Sequence, residues 1–558
     1  MSENRRRCLV ISDFNAEHLV GALNNGQGEP GIQAQAAPFG QVAQVLLTEH
    51  PCWGDAEKTD VAVIWTQPQS VSPSFGRMLA GESVSWDEIA AEMAGFCELV
   101  RGASDRARLI LIASWTLPNE RRGLGALELH QGATRMLARM NEALCLAFDV
   151  HASVCVIDAA RWIGMAGDKA ASPRRWYAGK IPYGSQVFHE AADDVRSAQR
   201  ASEGLTRKLL VLDLDNTLWG GGIGDDGIDG IELGGHSPKG EAFADFQRAL
   251  KTLTRRGIVL AICSKNEESV ALRAIDEHPE MVLRRDDFVA WRINWQDKAR
   301  NIAEMVDELN LGRRSVVFID DNPTERGRVR EALPNVWVPE WPVSPARYCQ
   351  TLASWDCFDS LQSTAEDAKR TGMYVAERER RSLKAEVGSM NDWLMSLNLQ
   401  VVVTEFDDNN LNRTAQLLNK TNQMNLSTRR MPEAELQQWG AASGHHMWTF
   451  VVSDRFGESG LTGIASLREE GTTGHVVDFI LSCRVMGKCI EETMFHWLCE
   501  RARALGLSEL QALYRPTEMN APCLRFWEGL GLEEARPGHF VAALKEPYPR
   551  PACIELSS

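Results

Sequence analysis

The chain has 558 residues, 44% of them hydrophobic, and 60 Lys+Arg against 76 Asp+Glu give a formal net charge of -16. At roughly 100–200 residues per domain, this length predicts about three domains, each able to bury its own core. The acidic balance argues against a general nucleic-acid binder, whose footprint is basic, and no apolar run approaches the ~20 residues of a membrane-spanning helix.

A cytoplasmic enzyme fits this composition. The 13 cysteines are scattered without CxxC pairs, so neither a zinc site nor a disulfide framework is expected. The first eight residues, MSENRRRC, carry the charge of a signal-peptide start. The apolar run at 9–11 is too short for the segment that should follow it.

In chain order, short apolar runs at 8–11, 61–65 and 109–114 read as buried strands. They alternate with helical patterns at 86–101 and 131–148, which predicts a mostly parallel sheet with helices on both faces. A polar stretch at 191–208 separates this from a second α/β unit. There, strands at 209–212, 258–263 and 315–319 alternate with helices at 240–255 and 297–309. Mixed charge at 363–384 predicts a solvated helical connector. The last third has strands at 401–404, 447–452 and 476–482, a long helix at 490–505 and a Pro-rich tail from Pro547. The expected domains are 1–200, 205–362, a connector at 363–386, and 387–548.

Four segments of the middle unit converge on phosphoryl transfer. Asp213-Leu214-Asp215-Asn216-Thr217 directly follows an apolar strand, and open α/β sheets place their sites at the carboxyl ends of strands. Asp213 projects from the strand end as a nucleophile, splitting one displacement into two through an aspartyl-phosphate. Asp215 reaches over the leaving group and supplies its proton. Ser264, at the end of a second strand, offers its hydroxyl to a phosphoryl oxygen, and Lys298, at a helix start, offsets developing charge. Asp320 and Asp321 end a third strand as hard oxygen ligands of the kind Mg²⁺ requires. A cation also explains how several carboxylates can face a phosphate. Thr217 and Asn266 are further candidates to touch the substrate. Alone, each piece has an ordinary reading: a solvated turn, a turn serine, a surface lysine. Their order, each at a strand end or helix start, carries the functional one.

These segments resemble the four motifs of the haloacid dehalogenase (HAD) superfamily. The resemblance implies a Rossmann-like parallel sheet, Asp213 as nucleophile and Asp215 as general acid/base. It also implies Mg²⁺ held by Asp213, the Asp215 backbone carbonyl and the Asp320–Asp321 pair. The intervals from Asp213 to Ser264 and from Ser264 to Lys298 leave no room for a cap domain. An open site is expected, with specificity supplied from elsewhere in the chain or by a partner.

In the last third, Cys483-Arg484-Val485-Met486-Gly487-Lys488-Cys489 runs from a strand into a helix. Such a loop can direct backbone N–H groups at a phosphate. It resembles the pyrophosphate loop of GCN5-related N-acetyltransferases (GNAT), an α+β fold, with Cys489 standing where Gly or Ala is usual. A phosphopantetheine arm is the alternative ligand, with Arg484, Gly487 and Lys488 as contacts. Cys483 is either a nucleophile activated by Arg484 and the helix start or a small buried hydrophobe; residue chemistry alone favours the second. Arg429 and Arg430 are candidates to bind a substrate or carrier phosphate, or form an exposed basic turn.

Across nearly its whole length the sequence resembles the FkbH-like HAD-IIIC family. The matching stretches include Trp176-Tyr177 to Ile181-Pro182-Tyr183, Asp213 to Gly221, His278-Pro279-Glu280-Met281, Arg292-Ile293-Asn294-Trp295, Asn419-Lys420-Thr421-Asn422-Gln423 and Ser482 to Gly487. The resemblance implies that 1,3-bisphosphoglycerate loses phosphate and its glyceryl group passes, as a thioester on Cys483, to an acyl carrier protein for polyketide or related secondary-metabolite synthesis. Gly222 and Asp225 depart from the family's expected Val and Glu, in the flap over the site. Carrier proteins are typically acidic, as this chain is, so docking needs a local basic patch.

The first domain resembles the SGNH-hydrolase-like domain of longer family members. Ser12 and Asp13 end a strand, but no Asp-x-x-His pair follows, and His151 and His189 lack such context. Docking or scaffolding is expected there. Two alternatives to acyl loading remain: a stand-alone Mg²⁺-dependent phosphatase of small-molecule or sugar phosphates, and a non-catalytic carrier-binding scaffold.

Overall fold

The computed structural model of the protein describes residues 5–558 apart from 27–28, 49, 55–57, 118–123, 129–131, 150, 152, 172, 362–364, 388 and 518. The chain divides into two units, one formed by 1–206 with 356–362 and the other by 207–355 with 363–558. Among the described residues, no helix is long and apolar enough to cross a membrane.

The first unit is built on five strands: β1 (Arg6–Ser12), β2 (Ile32–Ala36), β3 (Thr59–Trp65), β4 (Ala107–Ala113) and β5 (Val154–Ile157). They pair in parallel in the order β2-β1-β3-β4-β5. Successive side chains of β1 enter opposite cores. Leu9 and Ile11 join one apolar cluster, Cys8 and Val10 the other. Burial on both faces is why these strands read as continuous apolar runs.

The polar stretch expected at 191–208 is mostly helix, Ser185–Ser202. Val187, Phe188, Ala191, Ala192, Val195 and Ala198 form its buried stripe at helical spacing. Small alanines among charges hid that stripe in the sequence. The helical pattern expected from 131 is the helix Ala133–Phe148, and residue 131 itself lies outside the described residues.

The second unit contains two sheets. β6 (Leu209–Leu212), β7 (Val259–Ser264), β8 (Phe288–Ile293) and β9 (Val316–Ile319) are all parallel, in the order β8-β7-β6-β9. Their carboxyl ends carry Asp213, Ser264 and Asp320.

The other sheet contains β10 (Leu399–Glu405), β11 (Met424–Asn425), β12 (His445–Asp454), β13 (Gly457–Glu470) and β14 (Thr473–Leu481). It continues with β15 (Glu509–Leu513), β16 (Glu533–Arg536), β17 (His539–Ala543) and β18 (Ile554–Ser557). The order is β16-β17-β15-β14-β13-β12-β10-β18, with β11 on β14. β10, β12, β13 and β14 are antiparallel, whereas β15 joins β14 in parallel after the crossover helix Ile490–Ala504.

The connector is the helix Ala365–Glu386; residue 363, its expected start, lies outside the described residues. It is not simply solvated. Arg380 is 3% exposed and pairs with Asp454 of β12. Arg370 donates to the Gly257 carbonyl (2.7 Å) and Arg378 to that of Phe288 (2.9 Å). Its charges looked solvent-facing because their partners lie far away in sequence.

Candidate active site

Asp213 emerges where β6 ends, and its N–H extends the ladder by one bond to the Ile319 carbonyl of β9 (3.0 Å). Its side chain is buried against Lys298, the first residue of the helix Lys298–Glu308. Lys298 Nζ lies 3.0 Å from Asp213 Oδ1 and 2.6 Å from Asp320 Oδ2. Burial alone would depress the lysine pKa, but the two carboxylates outweigh it and hold the ammonium charged. Burial and then Asp213 push the Asp320 carboxyl up to about 6 against the pull of Lys298. Asp321 is raised by the same two causes.

Asp213, Asp320 and Asp321 each offer an oxygen, and these atoms lie within 4.8 Å of one another. Three clustered carboxylates against one ammonium leave excess negative charge, and an all-oxygen donor set suits a hard divalent cation. The residues therefore fit Mg²⁺.

The supporting loop is fixed by side chains that spacing did not reveal. Arg326, buried, donates to the carbonyls of both Asp320 and Asp321 at 2.8 Å. Asn322 N–H donates to Asp320 Oδ1 (2.8 Å), and the Asn322 side chain caps the following helix at Thr324 N–H. Tyr348 donates its hydroxyl to the carbonyl of Asn216 (2.8 Å), 132 residues away. Asn216 is the turning point of the loop, at φ 52, and its side chain accepts from Gly221 N–H.

Asp215 is held from three directions. Its Oδ1 accepts from Trp219 Nε1 (2.9 Å) and Ile223 N–H (3.1 Å), and its Oδ2 from Asn266 Nδ2 (3.0 Å). Asn266 also donates to Ser264 Oγ at 3.2 Å. The structure thus brings Asp215, Ser264 and Asn266 together. Thr217 is fully buried beneath the loop, with no hydrogen bond to its hydroxyl. Between Asp213 and Ser264 lie the flap and the helix Pro238–Arg255; between Ser264 and Lys298 lie the helix Glu268–Glu277 and β8. Neither interval holds a cap.

Cys483 follows β14 and is exposed, which overturns its reading as a buried hydrophobe. With Arg484 it lines a narrow crevice of ≈ 50 Å³ whose other walls include Val289, Leu309, Met373 and Ser459. Arg484 Nε donates to Ser482 Oγ (3.1 Å) and a guanidinium nitrogen contacts Met373 Sδ.

The rest of the loop is engaged internally. Gly487 N–H donates to Glu491 Oε1 (2.8 Å), and Lys488, buried, places Nζ 2.7 Å from Glu377 Oε2. Cys489, at φ 60, caps the helix Ile490–Ala504. A carboxylate thus takes a backbone donor that a phosphate would use. Arg429 pairs with the fully buried Asp478 and stacks on Trp439 at 4.5 Å, while Arg430 donates to the carbonyls of Leu418 and Thr421. Both arginines hold protein partners; Arg430 stays exposed, whereas Arg429 is half-buried.

The Asp213 cluster and the Cys483 crevice lie at different ends of the parallel sheet. Lys298 and Ser264 mark its carboxyl edge, whereas Val289, in the crevice beside Cys483, lies at the start of β8. Along the helix Lys298–Glu308, Lys298 and Leu309 are separated by about 16 Å at 1.5 Å per residue.

In the first unit, Ser12 Oγ accepts from Phe14 N–H (3.2 Å) and Asp13 from Gln67 N–H (2.9 Å). Tyr183 stacks on Trp65 at 4.9 Å, and its hydroxyl lies 3.2 Å from Thr116 Oγ1. Among the described residues, no histidine is hydrogen-bonded to Ser12 or Asp13. Phe14, Trp65 and Tyr183 form an aromatic cluster beside Ser12 and Asp13.

The sequence matches no protein-family model and no curated protein sequence. Among solved structures it is similar to the N-terminal part of the protein BF1531 from Bacteroides fragilis, which contains a phosphatase domain and was crystallised with Mg. The two are 27% identical over 64% of this chain and 95% of that one, with a TM-score of 0.58. It is also matched by the ribosomal-protein-S18-alanine N-acetyltransferase from Escherichia coli at 9% identity, over 25% of this chain and 90% of that one, TM-score 0.21. A GNAT-family acetyltransferase from Staphylococcus aureus matches at 8% identity, over 26% and 99%, TM-score 0.21. The chain is thus an α/β protein that shares its fold, over most of its length, with a structure containing a phosphatase domain.

Proposed function

We propose that this protein is a Mg²⁺-dependent HAD-type phosphatase joined to an acyl-transfer centre at Cys483, acting as a glyceryl-type loading enzyme of the FkbH-like kind. The observation that supports it most is the Asp213–Lys298–Asp320 constellation at the carboxyl ends of β6 and β9, with Asp215 latched beside it. Asp213, Asp320, Asp321 and the Asp215 carbonyl would hold the cation, which supplies charge neutralisation to the transferring phosphoryl group.

The chain's own groups carry the steps. An Asp213 oxygen bonds to phosphorus as the phosphorus–ester oxygen bond breaks, and the departing oxygen takes the Asp215 proton. Water then displaces Asp213 from phosphorus, gives its proton to Asp215 and releases inorganic phosphate. Lys298 holds the charge of nucleophile and phosphoryl oxygens throughout, and Ser264 and Asn266 orient the group.

At the second centre, the Cys483 sulfur attacks the acyl carbon of an acyl phosphate such as 1,3-bisphosphoglycerate, the carbon–oxygen bond to phosphate breaks, and the departing phosphate takes the thiol proton. The thiol of a carrier protein's phosphopantetheine arm then attacks the thioester, returning Cys483 to the thiol. The exposure of Cys483 at a crevice supports this, as does a mostly antiparallel sheet whose fourth strand meets a parallel fifth after a helix, a GNAT-like order. The parallel order β2-β1-β3-β4-β5 of the first unit supports an SGNH-like reading, with docking as its role. A cytoplasmic place in polyketide or related synthesis belongs to the same reading.

A second reading, a stand-alone phosphatase, is favoured by the internal engagement of Gly487 and Lys488. Intact-protein mass spectrometry with the acyl phosphate separates the two. The loading reading expects a glyceryl adduct that disappears in Cys483→Ala. An adduct surviving that substitution overturns it, and phosphate release with no adduct leaves the phosphatase.

A further inference from the structure

Three consecutive glycines, Gly220, Gly221 and Gly222, form the flap turn beside Asp215, and local structure requires only two of them. Gly221 sits at φ +87, a conformation side chains rarely adopt. Gly220 exchanges backbone hydrogen bonds with Glu232, and a Cβ there would crowd Phe243, Glu232 and Lys239 at 3.0, 3.1 and 3.2 Å. Gly222 differs on both counts. Its φ of -110° and ψ of 117° are open to any L-residue. A Cβ on it would meet only Asp225 Oδ2 at 3.8 Å and Asp215 Oδ2 at 3.9 Å, ordinary contacts.

A glycine with no steric or conformational requirement forfeits unfolded-state entropy for nothing in the fold. What its missing side chain leaves is space beside the Asp215 carboxylate. The flap is fastened at that spot: Ile223 N–H donates to Asp215 Oδ1 (3.1 Å) and Gly222 N–H to Asp226 Oδ2 (2.9 Å). A mobile loop closing the gap is not needed to explain the glycine.

We propose that Gly222 sets the width of the leaving-group side of the Asp213 site, admitting phosphate monoesters that are branched at the ester carbon. This rests on the reading of Asp213 as nucleophile and Asp215 as proton donor. A proton donor stands within about 2.6–3.2 Å of the oxygen it protonates, so the leaving alcohol lies against Asp215. A substituent on its first carbon reaches the volume a side chain at 222 would fill. In the transfer the phosphorus–oxygen bond to that alcohol breaks as Asp213 bonds phosphorus, the alcohol leaves with the Asp215 proton, and water restores both carboxyl groups as phosphate departs.

Glycerol 2-phosphate and glycerol 3-phosphate, a secondary and a primary ester of one alcohol, test this with the full chain and Mg²⁺. The readout is the ratio of their kcat/KM values. Gly222→Ala is expected to lower the secondary-to-primary ratio about tenfold, the scale of a single methyl in a fitted pocket, and Gly222→Val to lower it further. Thermal unfolding of each variant reports the fold independently, and alanine meets only ordinary contacts. A ratio unmoved in folded Gly222→Ala overturns the proposal, as does a wild-type enzyme that rejects the secondary ester while cleaving the primary one. Asp213→Asn separates the underlying reading: if it releases phosphate from both esters as fast as wild type, the nucleophile assignment falls and the Gly222 proposal with it.

Discussion

Lys298 Nζ lies 2.6 Å from Asp320 Oδ2, with the two side chains only 4% and 0% exposed. This buried pair, with Asp213 at 3.0 Å on the other side, determines how the site responds to mutation. Removing one partner of a buried pair costs about 3–5 kcal/mol, because the other charge is left uncompensated. Lys298→Met should destabilise the metal-free protein by about that amount in urea denaturation. Saturating Mg²⁺ should recover part of the loss, since the cation replaces the missing positive charge. Phosphatase activity should remain depressed by roughly 10²–10³-fold, the scale of a lost charge-stabilising group.

The raised carboxyl of Asp320 gives a pH dependence with a definite sign. Its folded-state pKa of about 6 lies above the usual aspartate range, so protonation favours the metal-free fold. That contribution is fully present below about pH 4, the ordinary aspartate value, and is lost as pH rises through about 6. A cation requires the ionised form. The stabilisation given by a fixed Mg²⁺ concentration should therefore be small at pH 5 and grow as pH rises through 6. Thermal unfolding with and without Mg²⁺ at about pH 5 and about pH 7.5 checks this. A midpoint shift equal at both values would contradict it.

The motif residues at strand ends were legible because each stands directly after or before a strong periodic element. Asp213 follows four apolar residues, and Lys298 opens a helix capped by Asp297. Tyr348 and Arg326 were not legible as supports, because a contact with a main-chain carbonyl leaves no spacing pattern. The occupation of the Gly487 N–H by Glu491 was equally hidden, since a glutamate in a first helical turn is ordinary. The exposure of Cys483 also escaped the sequence. A cysteine after an apolar strand reads as core, and only the turn after Leu481 carries it to the surface.

The separation of the two centres predicts independent behaviour. Asp213 stands at the carboxyl edge of the parallel sheet and the Cys483 crevice reaches the other end, at Val289 near the start of β8, so the two groups do not share a transition state. Asp213→Asn should therefore bring phosphate-ester release to background while leaving acylation of Cys483 by an acyl phosphate in place. Cys483→Ala should abolish the adduct and leave ester hydrolysis within about twofold of wild type. Mass spectrometry and phosphate release on the same samples read both. Loss of the adduct in a folded Asp213→Asn protein would show that the two steps are coupled after all.

The connector helix joins the two sheets of the second unit. Arg380 of the connector helix forms a two-point pair with Asp454 of β12, with Nη2–Oδ1 at 2.8 Å and both side chains 4% exposed. Its backbone carbonyl also accepts from Trp393 Nε1 at 3.1 Å. Arg380→Ala leaves Asp454 buried without its guanidinium and should cost about 3–5 kcal/mol. Replacing both partners, as Arg380→Met with Asp454→Leu, removes the uncompensated charge and should cost clearly less than the single change. The Asp213 constellation contains neither residue, so kcat for phosphate release should stay near wild type in the double variant at 25 °C. Urea denaturation of the single and double variants decides the matter. A double variant as unstable as Arg380→Ala would mean that packing of the arginine stem, not charge compensation, holds the connector to β12.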